Sequence, residues 1–173
     1  MAIEDPVRPK GLNIHTKAPL INTVDIYDKP INLNNLLKKY DGVLIDFFRG
    51  NWWSHWKEHL KVLTDNIHLF EEKNVKLISI ASDTMRLLRN FKEQNNFAID
   101  MISDRGAKIA KEYDVYWYAK AFSNIRIKQA VPSKFLIDKN GIIVWKYIGK
   151  DKTDRPSVKM MLILIDKYFK NPN

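Results

Sequence analysis

The chain has 173 residues, 45% of them hydrophobic, which suits one globular domain with a substantial core and excludes wholesale disorder. It contains no cysteine, so every thiol mechanism is excluded: peroxidatic, resolving, disulfide-exchange and Cys-ligated metal. Net charge is +9, from 29 basic and 20 acidic residues. The lysines are scattered rather than blocked, which reads as a solvated surface and not as a nucleic-acid interface. No run approaches the roughly 20 apolar residues of a membrane helix. The N-terminus lacks a basic-then-apolar signal layout, so the expectation is a cytoplasmic protein without membrane contact.

Residues 1–16, with Pro6, Pro9 and Gly11 among polar residues, read as an extended arm, and residues 17–173 as the domain. The segment Lys17–Tyr27 is where the chain is expected to enter the sheet. Asp28-Lys-Pro-Ile-Asn-Leu33 is a turn into a short helix ending at Lys39, with Leu33, Leu36 and Leu37 on one face. Val43–Phe48 is a buried strand. A tight turn at Arg49-Gly50-Asn51 leads into a long helix, about 52–72, whose stripe is Trp56, Leu60, Leu63, Ile67 and Phe70.

Val75–Ala81 is a second buried strand, and Ser82-Asp83 is expected to cap a helix over 84–95. Ala98–Ile102 is a short strand and Asp104–Tyr113 a further helix. Residues 114–130 are aromatic and basic without a clear period and read as an irregular connection with room for a short strand. Val131–Asp138 and Ile142–Ile148 flank Asn140-Gly141, a strong hairpin signal. Pro156 opens a final amphipathic helix to about Phe169. Alternating strands and helices imply a parallel sheet with helices on both faces, and the terminal hairpin makes it mixed.

A strand that runs through a short turn into a helix places free N–H groups and the positive dipole end at the sheet edge. Here Arg49-Gly-Asn-Trp-Trp-Ser-His-Trp56 resembles the Arg-Gly-x-Trp-Cys-Pro-x-Cys pattern of peroxiredoxin-like (alkyl hydroperoxide reductase/thiol-specific antioxidant) domains. Arg49, Gly50 and Trp52 match; Trp53 and Trp56 occupy the two cysteine positions and Ser54 the proline position. Val131-Pro-Ser-Lys-Phe-Leu-Ile-Asp-Lys-Asn-Gly-Ile-Ile143 resembles the family's Pro-(Thr/Ala)-x-Phe-(apolar)-Ile-Asp-x-(Asp/Asn)-Gly-x-(Ile) segment. The resemblance covers roughly residues 17–169. It implies an α/β thioredoxin-like fold with a mixed central sheet and a peroxiredoxin-type N-terminal extension. It also implies a cis Val131–Pro132 bond facing the active-site turn, and homodimerisation.

The first cysteine position of the family carries the attacking thiol of thioredoxin-type enzymes, the second the peroxidatic thiol of typical peroxiredoxins. Indole does neither job, so the thiol activity does not carry over, and no catalytic residue is assigned at Trp53 or Trp56. The expectation is a redox-inactive binding or interaction module with a protein or small-molecule partner and no cofactor. The alternative is an antioxidant-family enzyme with substituted chemistry.

The candidate cleft comprises Phe48, Arg49, Trp52, Trp53, Ser54, Trp56, Val131 and Pro132. It is either an aromatic ligand site with Phe47 and Phe48 behind it, or a plug that packs a dead site. Arg49 either attracts an anion beside the helix N-terminus or braces the turn. His55 and His59, four apart on one helix, are weak metal candidates whose bland reading is a solvated face. Asp46, Asp100 and Asp138 lie in or beside strands without an acid–base pairing; Asp138 is expected to shape the hairpin turn. Tyr116, Trp117, Tyr118 and Phe122, with Lys120, Arg126 and Lys128, offer a base-stacking or partner surface, or a flap or dimer contact.

Overall fold

A computed structural model describes residues 8–48, 54–120, 126–151 and 153–169. The chain-order elements are β1 (Asn22–Val24), β2 (Pro30–Asn32), α1 (Leu33–Lys39), β3 (Gly42–Phe47), α2 (Ser54–Asp65), α3 (Ile67–Glu72), β4 (Val75–Ala81) and α4 (Met85–Asn95). They continue with β5 (Asp100–Ser103), a 3-10 turn (Arg105–Ala107), α5 (Lys108–Glu112), β6 (Tyr116–Lys120), β7 (Arg126–Ala130), β8 (Ser133–Asp138), β9 (Ile143–Ile148) and α6 (Val158–Phe169).

The central sheet has strand order β5-β4-β3-β8-β9. Strands β3, β4 and β5 run parallel, and β8 and β9 are antiparallel to their neighbours, which gives the expected mixed sheet. Because β3 is central, both of its faces are buried, and period-2 alternation splits its side chains between two cores. Val43, Ile45 and Phe47 pack with Leu33 and Leu37 of α1 and Ala110 of α5. Leu44 and Phe48 pack with Trp56, Leu60 and Leu63 of α2, Phe70 of α3, Leu88 and Phe91 of α4, and Met161 and Ile165 of α6. Asp46 has the same parity as Leu44 and Phe48, so its carboxylate enters this second, otherwise apolar core.

Several expected boundaries move. The expected helix over 52–72 is two helices. Asn66 Nδ2 donates to the Val62 carbonyl at 2.8 Å and its backbone leaves the helical region at φ −113°, ψ 7°, a local bond competing with helix continuation. The expected helix over Asp104–Tyr113 is broken because Gly106 and Ala107 take positive φ of 76° and 56°. The Asp104 carboxylate then accepts from Ile109 N and Ala110 N, both at 3.0 Å, and starts α5 beyond the break. Thr84, rather than Ser82-Asp83, caps α4 by accepting from Leu87 N. Ser157 Oγ accepts from Met160 N, so Pro156 precedes α6 instead of opening it.

Three further expectations are corrected. Within 114–130, Tyr116–Lys120 and Arg126–Ala130 form a β6–β7 ladder with Tyr116 opposite Ala130, more regular than the expected connection with at most a short strand. The Lys17–Tyr27 segment meets the central sheet only at its start, where Lys17 bridges Ile142 beside β9; β1 then pairs only with β2, because Asp25 Oδ1 accepts from Tyr27 N and Lys29 N and turns the chain back. The Val131–Pro132 bond is trans. Val131 N donates to Val115 O beside one ladder and Pro132 O accepts from Gly149 N beside the other, so the crossing between sheets needs no isomer change.

The hairpin turn forms as expected: Asp138 Oδ1 accepts from Asn140 N and Ile142 N, and Gly141 supplies φ 77°. Gly42 sits where α6 crosses β3. A Cβ there would stand 2.6 Å from the Phe169 ring and 2.9 Å from the Ile137 carbonyl oxygen. The backbone oxygen is fixed by the sheet, so Gly42→Ala is expected to cost about 1–3 kcal/mol by urea denaturation; an unchanged midpoint would contradict this packing.

Candidate functional site

The site is built from one row of side chains across the middle of the sheet. Ser79, Asp46 and Lys134 are direct register neighbours on β4, β3 and β8. Ser79 Oγ donates to Asp46 Oδ2 at 3.0 Å, and Lys134 Nζ donates to Asp46 Oδ1 at 2.5 Å. The Asp46 and Lys134 side chains are each 2% exposed. A charge pair this deep persists only because both carboxylate oxygens are occupied and the charges are matched.

Helix α2 roofs the row. His59 Nε2 stands 3.7 Å from Asp46 Oδ1, too long for a hydrogen bond, so the contact is electrostatic. Trp56 is fully buried, meeting His59 edge-on with ring centroids 5.8 Å apart and Phe48 at 6.1 Å. The Arg155 guanidinium, just before α6, lies 4.2 Å from the Trp56 ring centroid. Four parts of the fold (β3, β8, α2 and the approach to α6) therefore converge on one polar cluster in an apolar layer.

Burial pushes the Asp46 pKa up, but the Lys134 charge and the His59 and Lys134 contacts outweigh it and hold the carboxyl well below its usual range. Burial pulls the Lys134 pKa down, with Asp46 opposing. His59 is pushed down to about 4, first by burial and then by the Lys134 charge, with Asp46 opposing and Arg155 adding to the drop. At neutral pH the cluster therefore holds a carboxylate, an ammonium and a neutral imidazole.

The structure places the sequence-derived candidates as follows. Phe48 and Trp56 come together in the α2-side core, whereas Phe47 and Val131 belong to the opposite core. Pro132 is buried with its carbonyl committed to Gly149. Arg49, Trp52 and Trp53 lie outside the described residues, and Ser54 and His55 are known only as the first residues of α2. His59 is 7% exposed, so it does not sit on a solvated face. Asp100 pairs with Lys76 at 2.8 Å, away from the row. Among the described residues, no group of three or more His, Asp or Glu side chains could hold a metal.

Lys134 and Ser79 are the site members that sequence reasoning missed. The available signal was a lone lysine and a lone serine inside strand runs (Ser-Lys-Phe-Leu-Ile and Leu-Ile-Ser-Ile), each aligning with Asp46 once the registers are known.

The titrations set a pH window. His59 normally titrates at 6.5, so between pH 6.5 and about 4 the unfolded chain binds a proton there that the folded chain excludes. Its contribution to stability is complete above pH 6.5 and is lost as pH falls through that window. Asp46, lowered from 3.8, contributes stability present above that value and lost only at more acid pH. The urea-derived stability is expected to fall by up to about 1.4 kcal/mol per pH unit between pH 6.5 and 4, and His59→Leu to flatten that slope. An equally steep slope in the variant would contradict this assignment.

A family model described as AhpC/TSA family matches residues 14–146. Among curated proteins, the thiol-disulfide oxidoreductase ResA of Bacillus anthracis is 27% identical over 145 residues, covering 83% of this chain and 75% of that protein. Among solved structures, peroxidoxin BcpB from Mycobacterium tuberculosis aligns with a TM-score of 0.76 at 17% identity, covering 90% of this chain and 97% of the other. The reduced 2-Cys peroxiredoxin of Plasmodium vivax aligns with a TM-score of 0.73 at 22% identity, covering 89% and 94%. These likenesses carry the fold, and the family match spans most of the chain: this cysteine-free protein belongs to the AhpC/TSA family, with a thioredoxin-like fold.

Proposed function

We propose that the chain is a binding or interaction module on the AhpC/TSA scaffold, without thiol redox chemistry. The observation that carries this reading is the replacement of both cysteine positions by Trp53 and Trp56 in a chain with no cysteine anywhere. Neither indole attacks a peroxide nor forms a mixed disulfide. The strand and helix that presented the thiols are kept, with α2 still opening beyond β3. A scaffold retained without its nucleophile keeps only what the cleft can hold. Homodimerisation and a cytoplasmic location belong to the same reading; no described helix is long and apolar enough to cross a membrane.

A substituted, His-metal chemistry gains no support from the described residues, since His59 faces a carboxylate already engaged by Lys134 and Ser79.

Purified protein supplied with a hydroperoxide or a disulfide substrate and excess thiol reductant is expected to add nothing to the reductant-only rate. Turnover above that rate, surviving a metal chelator, would overturn the proposal.

A further inference from the structure

Two buried nitrogens on one face of α2 make no hydrogen bond: Trp56 Nε1 and His59 Nε2. They are three residues apart on the helix, so they neighbour each other on its surface. An indole N–H can only donate, and a buried donor left without an acceptor is costly and uncommon in native folds. Asp46, held by Lys134 and Ser79, does not meet the need of His59, because Nε2 stands 3.7 Å from its nearer oxygen.

Charges of both signs stand around the pair. From β8 comes Lys134, from the approach to α6 comes Arg155, and both depress the basicity of His59; from β3 comes Asp46, which opposes them. On α2 itself, Glu58 attracts Arg155. The Arg155 guanidinium over the indole face withdraws electron density and makes the N–H a stronger donor. Asp46 is already matched by Lys134, so the Arg155 cation on the indole face is the charge beside the two orphan nitrogens that a small anionic acceptor could meet.

We propose that Trp56 Nε1 and His59 Nε2 are the paired donors of a small-anion site beneath α2, which takes a carboxylate or an inorganic oxyanion of similar size. This rests on the binding-module reading and names its ligand class. The anion accepts from the indole and from the Nε2–H form of the imidazole. Because it favours the imidazolium, it binds more tightly as pH falls toward about 4, where folded His59 takes up its proton.

The test is titration of the ¹⁵N-labelled full chain with sodium formate at constant ionic strength, following the indole N–H resonances by NMR. The Trp56 signal is the one lost in Trp56→Phe. A saturable displacement of that signal is expected, weakened about tenfold in His59→Leu, as loss of one charge-assisted hydrogen bond requires. Should Trp56→Phe not fold, the wild-type His59 ring signals serve instead: formate is expected to raise their titration midpoint above about 4. An indole signal and a His59 midpoint that formate leaves unmoved would overturn the proposal, as for a site that holds only water.

A parallel titration with toluene, a neutral apolar probe, separates the two levels. If toluene shifts Trp56 and formate does not, the anion site falls and the binding reading stands. If neither probe binds, the anion site falls, and the binding reading is left to a protein partner.

Discussion

The Asp46–Lys134 pair is the constraint on which the rest of this structure turns. It joins the central strand to its antiparallel neighbour at one fixed register, and Ser79 extends the link to the parallel side. Slipping β3 by one residue would send the carboxylate into the opposite core, among Leu33, Leu37 and Tyr113, where the apolar side chains offer it no cation. Burying such a pair is rarely a route to stability, since two desolvated charges barely repay their hydration. What the pair does achieve is specificity: one register, one face, and a fixed polar floor beneath α2.

That floor explains how the scaffold tolerates the loss of its nucleophiles. The sheet order, the caps of α1 and α4, and the Asp138 turn use backbone groups and side chains other than Trp56. Trp56 fills the α2-side core against Phe48 and carries Arg155 on its face. The family fold is therefore present with a different set of side chains between β3 and α2. Function has to be argued from those side chains and not from the fold.

Much of this was legible in the sequence. The apolar run Val43–Phe48, the Asn140-Gly141 turn and the helical stripes each report a local period that tertiary packing then obeys. Two motif segments fixed the family. What escaped were features decided by single local bonds: the Asn66 back-bond that splits α2 from α3, the Asp104 cap beyond Gly106 and Ala107, and the trans Val131–Pro132 bond. The β6–β7 ladder was hidden because its aromatic and basic residues alternate without a simple polarity. The site was half legible. Asp46 in a buried strand was visible, but Lys134 and Ser79 become its partners only through register, and the spacing of His55 and His59 pointed toward metal instead of toward Asp46.

The most direct test is a double-mutant cycle on the buried pair, read as unfolding free energy in urea. Asp46→Leu and Lys134→Met alone each strand a charge in the core and are expected to lose about 3–5 kcal/mol. The double variant, with no buried charge, is expected to recover most of that loss, leaving a large coupling energy between the two positions. If the double variant loses the sum of the two singles, the residues act independently, and the paired floor beneath α2 on which this account depends does not exist.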